Sequence, residues 1–188
     1  MFRTLVLQRI ERKGQKMFPI AAIESPGRGD ADFMMARFAR QTISRGLRVC
    51  GVVQVNIDRP QSHACDMDIQ VLPNGPVLSI SQALGAGSRG CRLDPRALET
   101  SVAAVSRSLA DGADLLVVNK FGKMEAQGRG FRPVIAEAIS RGIPVLVGIN
   151  GLNGPAYDAF TGGYGCRLPF SIDAISNWFD DARGLVGT

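Results

Sequence analysis

A chain of 188 residues that is 45% hydrophobic and 21% charged can bury a full core and has the balance of a soluble globular protein. Its net charge of +5 does not mark a nucleic-acid face: residues 1–16 hold five basic groups (Arg3, Arg9, Arg12, Lys13, Lys16) against Glu11, and the rest carries 17 basic against 16 acidic groups. No apolar run approaches the ~18 residues of a membrane span. The basic N-terminus also lacks the apolar core and cleavage site of a secretory signal, so the expected location is the cytoplasm.

Residues 1–16 read as a basic, disordered extension, or as a stretch upstream of the true start, because Met17 opens a better strand than Met1. Residues 17–188 read as one α/β domain with a mostly parallel central sheet. Phe18 to Ile23 is a short apolar run of strand length. The turn SPGRGD follows, then a helix over 30–45 with Phe33, Met34, Phe38 and Ile43 near helical spacing, Asp30 as its N-cap and Gly46 as its stop. LRVCGVVQV at 47–55 is a second strand, which completes a βαβ unit and so implies a parallel pair with a right-handed crossover.

The middle of the chain changes character. MDIQVL at 67–72 and VLSIS at 77–81 flank PNGP, the signature of a hairpin. The glycine-rich GAGSRGCR at 85–92 leads to Asp94 and Pro95, which open a helix running to about Ala110. Strands at 114–119 and 144–149 enclose a helix over 131–140, and a short helix at 155–160 and an amphipathic one at 171–182 complete the chain. Cys50, Cys65, Cys91 and Cys166 show no paired spacing and read as free thiols. His63 beside Cys65, Asp66 and Asp68 is too sparse to be read as a metal site, and no metal is assigned.

The chemistry concentrates on two loops at one sheet edge. DLLVVNKFGKMEAQGRG at 114–130 delivers Asn119 and Lys120 from a buried strand and adds Lys123, Glu125 and Arg129 among three glycines. Of four lysines in the chain, Lys120 and Lys123 are the two outside the N-terminal extension; the other basic positions of the body are arginines. A lysine offers a compact point charge rather than a planar fork. ESPGRGDAD at 24–32 lies where a phosphate loop would lie, and Gly27, Arg28 and Gly29 keep its turn. Against G-x-x-x-x-G-K-[ST], however, the first glycine is Glu24, the lysine is Asp30 and the hydroxyl residue is Ala31. Glu125 reads as an ion-pair partner of Lys123 or as a ligand contact, and Asp30 and Asp32 read as helix-cap charges.

NKFGKMEAQGRGF at 119–131 resembles the D-E-x-G-K-M-E stretch of the small thermophile-type nucleoside-triphosphatases. That resemblance implies a three-layer P-loop NTPase-like fold over about residues 17–150. Gly122, Lys123, Met124 and Glu125 match the pattern, while the acidic pair that serves magnesium and water has become Asn119 and Lys120. GCRLD at 90–94, the 114–130 stretch and IPVL at 143–146 are more closely similar to a bacterial family known as domain of unknown function family 2478. That resemblance implies a setting beside molybdate transport and the molybdenum cofactor, not a reaction.

The leading expectation is a non-hydrolysing binder of a small oxyanion or nucleotide-like ligand, without magnesium. The ligand would sit between Gly27, Arg28, Gly29, Asp30 and the group Asn119, Lys120, Lys123, Glu125 and Arg129, with Arg89 and Arg92 as an added clamp. Two alternatives stand beside it: a divergent nucleoside-triphosphatase or phosphoryl-transfer enzyme, and a regulatory or assembly protein that binds a partner chain. Self-association is left open, and neither a membrane nor a nucleic acid is expected as partner.

Overall fold

The computed structural model describes residues 10–12, 15–17, 19–24, 30–55, 67–82 and 92–184, with the backbone alone at 10–12, 15–17, 82 and 92. Its centre is a seven-stranded sheet, and five of the strands are parallel. These are β3 (Ile20–Glu24), β4 (Val49–Val55), β9 (Leu115–Val118), β10 (Val145–Ile149) and β11 (Cys166–Leu168). β5 (Asp68–Leu72) and β6 (Val77–Ser79) form the expected hairpin and join antiparallel beyond β4, giving the order β11-β3-β10-β9-β4-β5-β6. The parallel strands are almost wholly apolar because both sheet faces are covered.

Alternation along β9 divides the core. Leu115 and Val117 face α1 (Asp30–Ser44) and α6 (Ile172–Gly184), whereas Leu116 and Val118 face the side packed by α2 (Pro95–Ala110), α4 (Arg132–Ser140) and α5 (Gly154–Thr161). Helices thus flank the sheet on both faces, the expected three-layer α/β arrangement. α2 begins as its sequence implies, with Asp94 Oδ1 accepting from the amides of Arg96 and Ala97 and with Pro95 in the first turn. In α1 the buried stripe is Ala31, Met35, Phe38, Ala39 and Thr42, so Phe33, expected on the apolar face, stands 73% exposed.

Several short elements were not expected. β11 extends the sheet beside β3, between the two helices expected at 155–160 and 171–182. α3 (Lys123–Ala126) is one helical turn inside the 114–130 stretch. A two-stranded ladder of β1 (Ile10–Arg12) and β2 (Gln15–Met17) is separate from the main sheet and replaces, over those residues, the expected unstructured tail. β7 (Ser81–Gln82) and β8 (Arg92–Leu93) make a similar small pair. Cys50 and Cys166 are free thiols, and burial raises the pKa of each; Cys65, Cys91 and His63 lie outside the described residues. Among the described residues no helix is long and apolar enough to cross a membrane.

Because the β1–β2 ladder shares no sheet with the core, deleting residues 1–16 should leave the thermal midpoint unchanged. A drop of several degrees in differential scanning calorimetry would show that the ladder is docked.

Candidate functional site

Polar groups gather where β9 ends. The amide of Asn119 donates to Val52 O (3.2 Å) on one neighbouring strand, and that of Phe121 donates to Gly148 O (2.7 Å) on the other. The turn is therefore fixed at both sides. Gly148 is needed beneath it, since a Cβ there would lie 2.4 Å from the Asn119 carbonyl oxygen. Asn119 itself is buried, and its Nδ2 donates to Asp32 Oδ1 at 2.8 Å. This hydrogen bond ties the end of β9 to the first turn of α1 although β10 lies between β9 and β3. Burial pushes the Asp32 carboxyl above its usual range, while the Asn119 hydrogen bond and the nearby Lys120 ammonium pull it partly back. Asn119 Oδ1 is buried and has no hydrogen-bond partner among the described residues.

Glu125 lines the cavity described below, but it is not the ion-pair partner of Lys123. It is 4% exposed; its Oε2 accepts from the Gly122 amide (2.9 Å) and its Oε1 from the Phe131 amide (3.0 Å). The carboxylate clamps the start of α3 to the start of α4, so it pairs with backbone donors and not with Lys123. Gly130 sits at φ +59°, and a Cβ there would be 2.3 Å from Glu125 Oε1. Much of the GKMEAQGRG sequence is thus explained by this internal clamp.

With Glu125 so occupied, Lys120 and Lys123 stand exposed, and neither has a carboxylate within salt-bridge distance among the described residues. Both line a cavity of about 310 Å³ on the α2 side of the sheet. Its walls are apolar: Val52 and Val118 from the sheet, Ile69 and Ile80 from the hairpin side, Leu98 from α2, and Met124 and Phe131. Gln54, Asn119, and the pair Asn150 and Asn153 from the loop after β10 also line it, as do Met67, Leu93, Gly122 and the amide-bound Glu125. Asn150 Oδ1 accepts from both the amide and Nδ2 of Asn153, each at 3.0 Å.

The other expected site residues are placed differently. Asp30 is exposed at the start of α1 and does not line the cavity. Arg129 is exposed, hydrogen-bonds Gln127 Oε1 at 2.6 Å and also lies off the lining. Gly27, Arg28, Gly29 and Arg89 lie outside the described residues, as does the side chain of Arg92, whose backbone belongs to β8. Glu24, at the first glycine position of the phosphate loop, pairs with Arg167 (3.5 Å), which also binds Asp158 (2.9 Å). Asp32, Asn150 and Asn153 were not expected in the site. Asp32 could have been placed there from the parallel topology, but the asparagines carry no local signal.

A mostly parallel sheet with helices on both faces, and a helix leaving β3 to meet the end of β9, matches a P-loop NTPase-like fold. The solution structure of a human cancer-related nucleoside triphosphatase shares this fold, with a TM-score of 0.52 at 18% identity over 89% of this chain and 95% of that one. The chain belongs to the family described as protein of unknown function DUF2478, which matches residues 20–178. It is also similar to the molybdenum import ATP-binding protein ModC 2 of Bradyrhizobium diazoefficiens, at 38% identity over 169 residues. That match takes in 89% of this chain and only 19% of the relative, so the chain spans less than a fifth of that protein's length.

Two expectations follow from these contacts. Glu125→Ala strands two buried amides and should cost about 2–4 kcal/mol in urea denaturation, with Glu125→Gln, which keeps one acceptor, falling between it and wild type. An unchanged midpoint would exclude the clamp. For Asp32, a raised folded-state value means that the protonated form favours folding; its contribution is full below the unfolded value and is lost as pH rises through the folded one. Asp32→Asn, whose amide oxygen can still accept from Asn119, should therefore melt higher than wild type at about pH 7 and lose that advantage near pH 4.

Proposed function

We propose that this protein is a cytoplasmic, non-hydrolysing binder of an anionic ligand, built on a P-loop NTPase-like fold and serving molybdate or molybdenum-cofactor metabolism. One observation carries the reading: among the described residues Lys120 and Lys123 have no carboxylate partner, and they stand at an apolar-walled cavity, at the strand end where the resembling triphosphatases hold their acidic pair. Two ammoniums on such a rim attract an anion and repel a metal ion. The carboxylates nearby are committed elsewhere: Glu125 to backbone amides, Glu24 to Arg167, and Asp32 to Asn119. Hydrolysis of a nucleoside triphosphate draws on a magnesium-holding acid and a group that orients water, and losing one electrostatic contributor costs on the order of 100-fold. The molybdenum import relative supports the metabolic setting.

A second reading, a module that docks on a partner chain, draws on the exposure of Phe33 (73%) and Leu152 (90%).

Calorimetric titration with phosphate, sulfate, molybdate and nucleotides should show binding of at least one anion. The Lys120→Ala/Lys123→Ala double variant should lose about 1–3 kcal/mol of it. Release of phosphate from ATP or GTP should stay at background with magnesium present. Turnover at ordinary NTPase rates would overturn the proposal, and silence toward every anion together with formation of a protein complex would favour the docking module.

A further inference from the structure

The cavity says more about the ligand than its charge. We infer that it takes a phosphorylated nitrogen heterocycle of nucleoside monophosphate size, not a bare oxyanion. The inference rests on the anion-binding reading above and names the class of ligand.

Size comes first. A volume of about 310 Å³ is at the lower end of the roughly 300–1,000 Å³ range of small-molecule sites and corresponds to about ten water molecules. A tetrahedral oxyanion held by the two lysines would leave most of that space filled with water against apolar walls.

The walls are the second constraint. The face from β9 and β4 presents Val118 and Val52, and the opposing surfaces present Leu98 and Ile80. None of these side chains can hydrogen-bond, so the body of the ligand must be apolar on its faces. A sugar, with hydroxyls on every side, does not meet that condition. A flat aromatic ring does, because its polar atoms lie only in its edge.

The third constraint is the edge itself. Asn150 and Asn153 share one hydrogen-bonded pair through Asn150 Oδ1, which leaves Asn150 Nδ2 as a donor and Asn153 Oδ1 as an acceptor without a partner among the described hydrogen bonds. Carboxamides of this kind match the donor–acceptor edges of nitrogen heterocycles. The charged end is set by Lys120 and Lys123: two ammoniums match a phosphate monoester, which carries about −1.5 to −2 at neutral pH. Among the described residues, none of β3 or α1 lines the cavity.

The test uses the full chain and isothermal titration with four probe types: the common ribonucleoside monophosphates, ribose phosphate, inorganic phosphate and molybdate. At least one monophosphate should bind about 10-fold or more tighter than ribose phosphate or either inorganic anion. Ile80→Trp, which fills the cavity from a half-buried wall position, should weaken that nucleotide about 10-fold while leaving the weak binding of phosphate unchanged. Lys120→Ala/Lys123→Ala should weaken both. If Ile80→Trp does not give a wild-type circular dichroism spectrum, Leu93→Trp fills the same space from β8. Equal affinity for all probes, or nucleotide binding insensitive to the filled cavity, would overturn this inference and leave the anion-binding reading intact. Absence of binding by every probe would overturn both.

Discussion

The hydrogen bond from Asn119 Nδ2 to Asp32 Oδ1 is the contact on which the site's geometry depends. β3 and β9 are not neighbours, since β10 runs between them, so their following segments are not brought together by strand pairing. They meet because α1 returns across the sheet and because Gly148 has no side chain. With Met35 Sδ 3.2 Å and Asn119 O 2.4 Å from an imagined Cβ, the glycine is what lets the chain after β9 cross above β10. One missing side chain thus sets where Asn119 and, one residue later, Lys120 stand. The bond also places a partly buried carboxyl under an amide donor, not beside a metal ion, and burial makes that carboxyl harder to ionise.

Consecutive positions at a strand end point to opposite faces, and this converts a two-residue difference into two separate effects. Asn119 continues the Leu115–Val117 row and meets α1, while Lys120 follows Leu116 and Val118 toward the cavity side. In the resembling triphosphatases both positions are acidic. Here the first is a structural tether to Asp32 and the second an exposed lysine at the cavity, so the two acids of the triphosphatase pattern give way to an amide and a cation. Lys123, on the single turn of α3, adds a second charge on the same rim.

The layers of this fold were legible because β-branched apolar runs and capping residues carry local information. The runs at 115–118 and 145–149, and the Asp94–Pro95 helix start, lie within a residue of where the sequence puts them. β11 was not legible: it is three residues long, only partly buried, and exists because β3 offers an open edge. α3 was hidden by the glycines on either side of it. Glu125 was misread as the ion-pair partner of Lys123 for a related reason, since charges close in sequence suggest each other as partners. Its true partners are the amides of Gly122 and Phe131, which no composition or spacing reveals. The cavity was invisible for the opposite reason, as its walls come from the sheet, the hairpin and α2, far apart in the chain.

The clamp and the two lysines divide the labour of one short motif. A buried carboxylate that serves two amides rigidifies the turn, because moving either α3 or the start of α4 would strand a charge away from water. Such rigidity matters for a binding site more than for a flexible surface: Lys120 precedes the clamp and Lys123 lies within it, so the backbone carrying both charges is fixed before any ligand arrives. What remains free is the side-chain torsion of two long ammonium arms, which can adapt to an anion at modest entropic cost. A family sequence that keeps GKMEAQGRG while losing the acidic pair is therefore consistent in physical terms. It retains the residues that hold the loop still, while an amide and a lysine stand where the triphosphatase pattern has its acidic pair.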